Sequence, residues 1–282
     1  MIHNKPQTPT TPERLWPHLR SWWWSGLGAL VFAATVAIGL AIKASGPKPA
    51  ELGVDIALAQ DRNPVLSALS LAIHYGLGPL GAVIILVLAC LILVRRSVNG
   101  ALAFGSVVGV GWLASAIAKY LVARMRPPSD TVHALVHEQG LTSYPSGHTA
   151  FALALACAFV LVVPRSRRAK AVSMAAGAVF VALVAFSRLY LGVHYPSDVL
   201  ASVFIAGAAI VAWLPVWNHL IAPRFTKQAR LSPSSRAQGR TGRVEQTGEA
   251  ALHSDGRDDG PTSRDCQIQE RTPPIGESKE NP

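Results

Sequence analysis

Residues 187–200 read SRLYLGVHYPSDVL, which sets an arginine, a histidine and an aspartate between two apolar runs. Charge at the edge of hydrocarbon is expensive and demands a partner or a function. Asp198 follows His194 by four residues, and Pro196 suits the first turn of a helix. A tight turn there lets the carboxylate accept a ring N–H of His194. That fixes the tautomer and leaves the other ring nitrogen free to attack. An Arg188–Asp198 ion pair tying two helix ends together accounts for this stretch equally well.

Two more clusters carry similar chemistry. In KYLVARMRP, residues 119–127, Lys119 and Arg126 are seven apart. On a straight helix they share nearly one face, with Cα atoms about 10.5 Å apart, so two long side chains can converge on one group. Pro127 biases Arg126 away from helix, and Arg124 points elsewhere. Taken alone, these cations also suit snorkelling at a membrane interface. In YPSGHTA, residues 144–150, Ser146 can cap a helix, Gly147 lets the backbone approach a ligand, and free N–H groups at the helix start attract anions. His148 adds a titratable ring; a capped helix start with an interfacial histidine is the plain alternative. Together the clusters offer three cations, two histidines, a carboxylate and a helix start, a set that suits a tetrahedral oxyanion, phosphate above all.

The elements that must position these groups are apolar. Half of the 282 residues are hydrophobic and 15% are charged, against roughly 25% charged in an ordinary soluble domain. The net charge is +10, and residues 1–222 hold 16 Lys/Arg against 7 Asp/Glu. Because these charges lie in short loops between apolar runs, they point to membrane topology rather than nucleic acid. Apolar runs at 22–42, 78–94, 100–118, 149–163, 171–186 and 199–216 predict an all-α polytopic bundle of six transmembrane helices. Residues 64–75 are expected as an interfacial or re-entrant helix, broken from the second span by Gly and Pro. The first run is too long for a signal-peptide core of about 7–15 residues and is expected as an uncleaved anchor.

Lys5, Arg14 and Arg20, then Arg95 and Arg96, then Arg165, Arg167, Arg168 and Lys170, then Arg224, Lys227 and Arg230 all fall on one side of six spans. That side is expected to be the cytoplasm, with both termini there and the three clusters opposite. Trp22, Trp23 and Trp24 would share the cytoplasmic interface with Trp213 and Trp217. The chain thus divides into a cytoplasmic lead (1–21), a membrane domain (22–222) and a polar tail (223–282) whose composition predicts disorder. Cys90, Cys157 and Cys266 show no metal-ligand spacing. His133 and His137 in HALVH could bind zinc if helical, but Ala134 stands where a zinc protease carries glutamate; a short amphipathic lid is the preferred reading. His74 and His219 read as interfacial.

The three clusters resemble the motif set of the type 2 phosphatidate phosphatase superfamily, which includes vanadium haloperoxidases and bacterial acid phosphatases. Its pattern KxxxxxxRP, PSGH and SRxxxxxHxxxD is matched by Lys119, Arg126 and Pro127, by Pro145 to His148, and by Ser187, Arg188, His194 and Asp198. The resemblance implies a lipid phosphate phosphatase of the cell (inner) membrane. Undecaprenyl diphosphate, phosphatidylglycerophosphate and phosphatidate are candidate substrates, and the active site would face the periplasm or cell exterior. It further implies that His194 forms a phosphohistidine, Asp198 orients it, and His148 protonates the leaving oxygen and then activates water. Lys119, Arg126, Arg188, Ser146 and Gly147 would hold the phosphoryl oxygens. No metal or other cofactor is expected, nor nucleic acid; the partners are the lipid phosphate and membrane lipids. Transfer of the phosphoryl group to a sugar or lipid acceptor is the alternative outcome of the same intermediate. A haloperoxidase or a non-catalytic lipid binder suits the residues less well.

Overall fold

The computed structural model describes residues 19–46, 49–138, 140 and 142–224. Most of the expected lead and tail lies outside them. Among the described residues every regular element is helical. Helices α1 (Trp23–Ala44), α2 (Pro49–Gln60), α3 (Pro64–Gly76), α4 (Pro79–Val94) and α5 (Val98–Val122) are followed by a single turn, α6 (Ser129–Val132). Then come α7 (Gly147–Val162), α8 (Arg167–Tyr190) and α9 (Pro196–Val216), which runs on through a π-helical turn at Trp217–Ile221. Four runs are long and apolar enough to cross a membrane: α1, α5, α8 and Pro196–Arg224. The α3–α4 pair, bent by 67°, makes a fifth if counted as one span. α7 is apolar but has 16 residues; it rises about 24 Å against a hydrocarbon core of about 30 Å. The chain is a multi-pass helical membrane protein, and a count of six needs both the bent pair and the short α7.

The outer surface has the chemistry of lipid contact. On α4, Val83, Ile84, Val87, Leu88, Leu91 and Ile92 are exposed and only Ala82 is buried. So large an apolar surface is unstable in water and at rest in hydrocarbon. Inside, α5, α7 and α9 pack together around Val107, Val108, Phe151, Ala154 and Ile210. Helix starts follow local chemistry. Asn63, Ser97 and Ser166 each accept a backbone N–H from three residues on, and Pro64, Pro79 and Pro196 stand at first-turn positions. At one end of the bundle Trp22 stacks on His219, whose Nε2 meets the Arg20 carbonyl at 2.6 Å, so α1 starts where the last helix ends.

α1 lies along α9; one glycine permits that approach and a second makes room for Tyr144, which precedes α7. A Cβ on Gly28 would fall 2.5 Å from the Ala208 carbonyl oxygen, and one on Gly39 would fall 2.5 Å from the Tyr144 ring. Small residues of this kind let membrane helices meet backbone to backbone. Gly28→Val is therefore expected to cost about 1–3 kcal/mol through overpacking. Thermal unfolding in detergent checks it, and an unchanged midpoint would remove this account of the α1–α9 contact.

Candidate active site

The clusters meet around one cavity of about 860 Å³. Lys119, Arg126, Gly147, His148 and His194 line it; Leu77, Leu80, Trp112 and Leu135 supply apolar wall. Ser146, Arg188 and Asp198, also expected at the site, stand behind this wall and are fully buried.

Lys119 and Arg126 converge, but not along a helical face. α5 stops at Val122 and Ala123 takes a left-handed conformation, φ 49°. The chain then doubles back. Met125 pairs with Thr142 in an isolated bridge, and Ser143 N–H donates to the Arg124 carbonyl at 2.7 Å. Lys119 Nζ donates to the carbonyls of Thr142 (3.0 Å) and Ser143 (3.2 Å). Arg126 donates through Nε to Gly140 and through Nη1 to Val193, and Nη1 lies 3.3 Å from His194 Nε2. A cation opposite Nε2 favours the tautomer with its proton on Nδ1 and a lone pair on Nε2. Burial, with Arg126 and Lys119 beside it, holds His194 well below its ordinary pKa, so the ring is neutral.

His194 Nδ1 lies 3.6 Å from Asp198 Oδ2, just beyond hydrogen-bond reach. Asp198 Oδ2 accepts the Tyr195 N–H at 3.0 Å, and its Oδ1 accepts from Arg124 Nη1 at 2.9 Å. The aspartate thus caps α9 while facing the histidine. The Arg–Asp pair read as an alternative exists with another arginine, Arg124, since Arg188 turns away. Arg188 Nη1 meets His74 Nδ1 at 3.2 Å and Nη2 bonds to Glu138. Its Nε has no partner among the described residues.

Ser146 caps α7. Its Oγ accepts from Thr149, and its N–H donates to the Asp198 carbonyl at 3.2 Å, joining two of the clusters by backbone. Gly147 opens the helix with nothing within 4 Å of where a Cβ would stand, leaving room beside its backbone. His148 Nε2 faces the His74 carbonyl at 3.2 Å, and the two rings stack at 5.6 Å.

Two residues of this site were not singled out in the sequence. His74, read as interfacial, is part of the wall. Glu138, in the loop between α6 and α7, pairs with Arg126 at 3.4 Å and with Arg188. Burial raises the Glu138 carboxyl, but Arg188 and Arg126 outweigh it and leave it below the ordinary value, ionised. The HALVH segment reaches over the cavity, where Leu135, Val136 and His137 line it. The segment is not helical, because helix ends at Val132 and His133 is left-handed, φ 47°. His133 and His137 therefore do not form a helical pair. Arg62 holds this roof through the carbonyls of Val132, His133 and Tyr190. His74, Glu138 and His148 bring ligand atoms within 4.8 Å of one another, enough to surround a metal ion. Arg188 already engages His74 and Glu138, and Arg126 engages Glu138, so a dication there would have to displace two cations.

Fold and site define a polytopic helical membrane protein with a cavity lined by Lys119, Arg126, His148 and His194. The chain belongs to the PAP2 superfamily, whose profile matches residues 99–221. It is 33% identical over 160 residues to the decaprenylphosphoryl-5-phosphoribose phosphatase of Mycobacterium tuberculosis, spanning 54% of this chain and 80% of that one. It is 32% identical over 146 residues to the lipid A 1-phosphatase of Rhizobium johnstonii, spanning 48% of this chain and 52% of the relative. The undecaprenyl-diphosphatase of Bacillus subtilis matches at 34% over 103 residues, 35% of this chain and 50% of the relative. The chain thus spans about half the length of the last two. The crystal structure of a transmembrane PAP2 type phosphatidylglycerolphosphate phosphatase from Bacillus subtilis shares the fold. Its TM-score is 0.53 at 23% identity, covering 75% of this chain and 98% of that one.

Proposed function

We propose that this protein is a lipid phosphate phosphatase that works through a phosphohistidine on His194, without a metal. The observation that carries the reading is the meeting of His194 Nε2, Arg126 and Lys119 in one cavity with His148 on its wall. Phosphoryl transfer asks mainly for positioning and charge stabilisation, and a histidine nucleophile divides it into two easier steps. Nε2 attacks phosphorus as the lipid oxygen leaves, with His148 protonating that oxygen. His148 then takes a proton from water, which attacks the phosphohistidine and frees phosphate. Lys119, Arg126 and Arg188, with Ser146 and the Gly147 N–H, hold the phosphoryl oxygens, and Asp198 balances the charge that grows on His194.

A lipid substrate is supported by the apolar wall of the cavity. It is supported too by relatives named as phosphatases of lipid A, undecaprenyl diphosphate and decaprenylphosphoryl-5-phosphoribose. The membrane domain is taken as residues 22–222 with six spans, counting the bent pair and α7. Both termini then lie in the cytoplasm, with the site at the outer face of the cell membrane, as the basic loops indicate. The test is phosphate release in detergent, with EDTA, from a panel including undecaprenyl diphosphate, phosphatidylglycerophosphate and phosphatidate. Release that survives EDTA supports the reading. Release that needs a metal, or none from any lipid, sinks it; turnover that requires an acceptor and frees no phosphate points to the phosphotransferase.

An incoming phosphoryl group must compete with Glu138 for Arg126 and Arg188. Removing that charge leaves both arginines to the ligand. Glu138→Gln is therefore expected to tighten inhibition by inorganic phosphate by about 3- to 10-fold, in line with one charge-assisted bond released. An inhibition constant unchanged or raised would show that Glu138 and phosphate do not share the arginines.

A further inference from the structure

α2, at 12 residues, is too short to span a membrane, yet it delivers two carboxylates behind the site. Arg124 is buried, absent from the cavity wall and already paired through both terminal nitrogens. Its Nη1 donates to Asp198 Oδ1 at 2.9 Å and to Ser197 Oγ at 2.7 Å, and its Nη2 donates to Glu51 Oε2 at 2.7 Å. The guanidinium lies 3.9 Å over the Tyr195 ring. Glu51, Arg124, Asp198 and His194 therefore stand in line, each within 3.6 Å of the next.

Charge along that line matters to the chemistry assigned to His194. Arg124 and Asp198 alone form a neutral pair, with little left to balance a cationic phosphoimidazolium. Glu51 restores one net negative charge, in surroundings where charges are weakly screened. Asp55, one turn further along α2, is fully buried and its carboxyl has no hydrogen-bond partner among the described residues. Burial, then Asp198 and Glu51, push it up to about 7 against the pull of Arg124. At neutral pH it therefore stays in part uncharged and adds less than a full second charge.

We infer that Glu51 is a positioning residue for the attacking histidine: by sharing Arg124 it keeps Asp198 aimed and uncompensated for His194. This rests on the phosphohistidine reading above. Glu51→Gln is the decisive variant, because the amide oxygen still accepts from Arg124 while the charge is gone. With the best lipid phosphate of the panel, kcat is expected to fall about tenfold, equivalent to about 1.4 kcal/mol of transition-state stabilisation. KM should stay within about twofold, as expected for loss of an interaction made in the transition state and not in binding. Glu51→Asp, which returns the charge on a shorter arm, should recover part of kcat. Formation of the acid-labile phosphoenzyme in a single turnover should slow in step, with thermal unfolding in detergent confirming that each variant is folded.

A Glu51→Gln protein with wild-type kcat would overturn the inference, leaving Glu51 as a hydrogen-bonding strut. A fall in kcat that Glu51→Asp does not relieve, or a loss confined to KM, would overturn it too. The wild type separates the two readings: if it releases phosphate while Glu51→Gln is unaffected, only this inference fails. If the wild type releases none from any lipid, both fall.

Discussion

His194→Ala is expected to abolish phosphate release, by more than about 10³-fold in kcat, because the group proposed to accept the phosphoryl is gone while the arginines assigned to its oxygens remain. Binding should survive: inorganic phosphate or vanadate should still protect the variant against thermal unfolding in detergent. No phosphoenzyme should be trapped after an acid quench. The variant also carries a pH test. The folded protein holds His194 neutral, with its pKa well below the ordinary value, through burial and the cations Arg126 and Lys119. The unfolded chain takes up a proton near pH ~6.5. Below that pH the unfolded state binds more protons, so stability falls as pH falls toward the folded-state pKa. The thermal midpoint of the wild type should drop from about pH 6.5 downward, and that of His194→Ala should drop less. Release comparable to wild type would remove His194 as nucleophile.

Arg188→Lys should lower kcat/KM by about 10²-fold or more, the scale of losing one fixed donor to a developing oxyanion. The substitution keeps the charge and discards the fork. The buried guanidinium reaches His74 Nδ1 with one arm and Glu138 with another, and an ammonium on a flexible stem cannot serve both. Lysine in this place has fewer donors for the same surroundings, so a stability loss should accompany the kinetic one. Arg188→Ala separates the effects further, since it leaves Glu138 with Arg126 as its remaining arginine partner. Arg188→Lys with wild-type kcat/KM would mean that charge alone suffices, and the fork would lose its assigned role.

Much of this site could be read in the sequence because its parts are local. Asp198 is four residues from His194, Ser146 caps the helix that carries His148, and apolar runs mark most spans to within a few residues. Lys119 and Arg126 were expected together for the wrong reason. The helix that was to align them ends at Val122, and a bridge between Met125 and Thr142 returns Arg126 to the cavity. Contacts spanning long stretches of chain left no local trace. His74 meets Arg188 across 114 positions, and Arg124 meets Glu51 across 73. α2 escaped notice because its run is short and mildly apolar. One signal was available: residues 1–222 hold only 7 acidic residues, and a carboxylate so rare beside so many cations deserves a partner. Glu51, Glu138 and Asp198 all pair with the arginines that flank or line the cavity.

The roof over the cavity has little regular structure: one helical turn, whose last carbonyl at Val132 and that of the left-handed His133 share a single guanidinium with Tyr190 at the end of α8. Arg62 is thus a keystone. It sits in the link between α2 and α3, so it ties the arch to the carbonyl end of the helix that bears Arg188. Removing it would untie the Val132–His133 end of the arch and leave the Leu135–Glu138 end held by Leu191, Arg126 and Arg188, a hinge rather than a collapse.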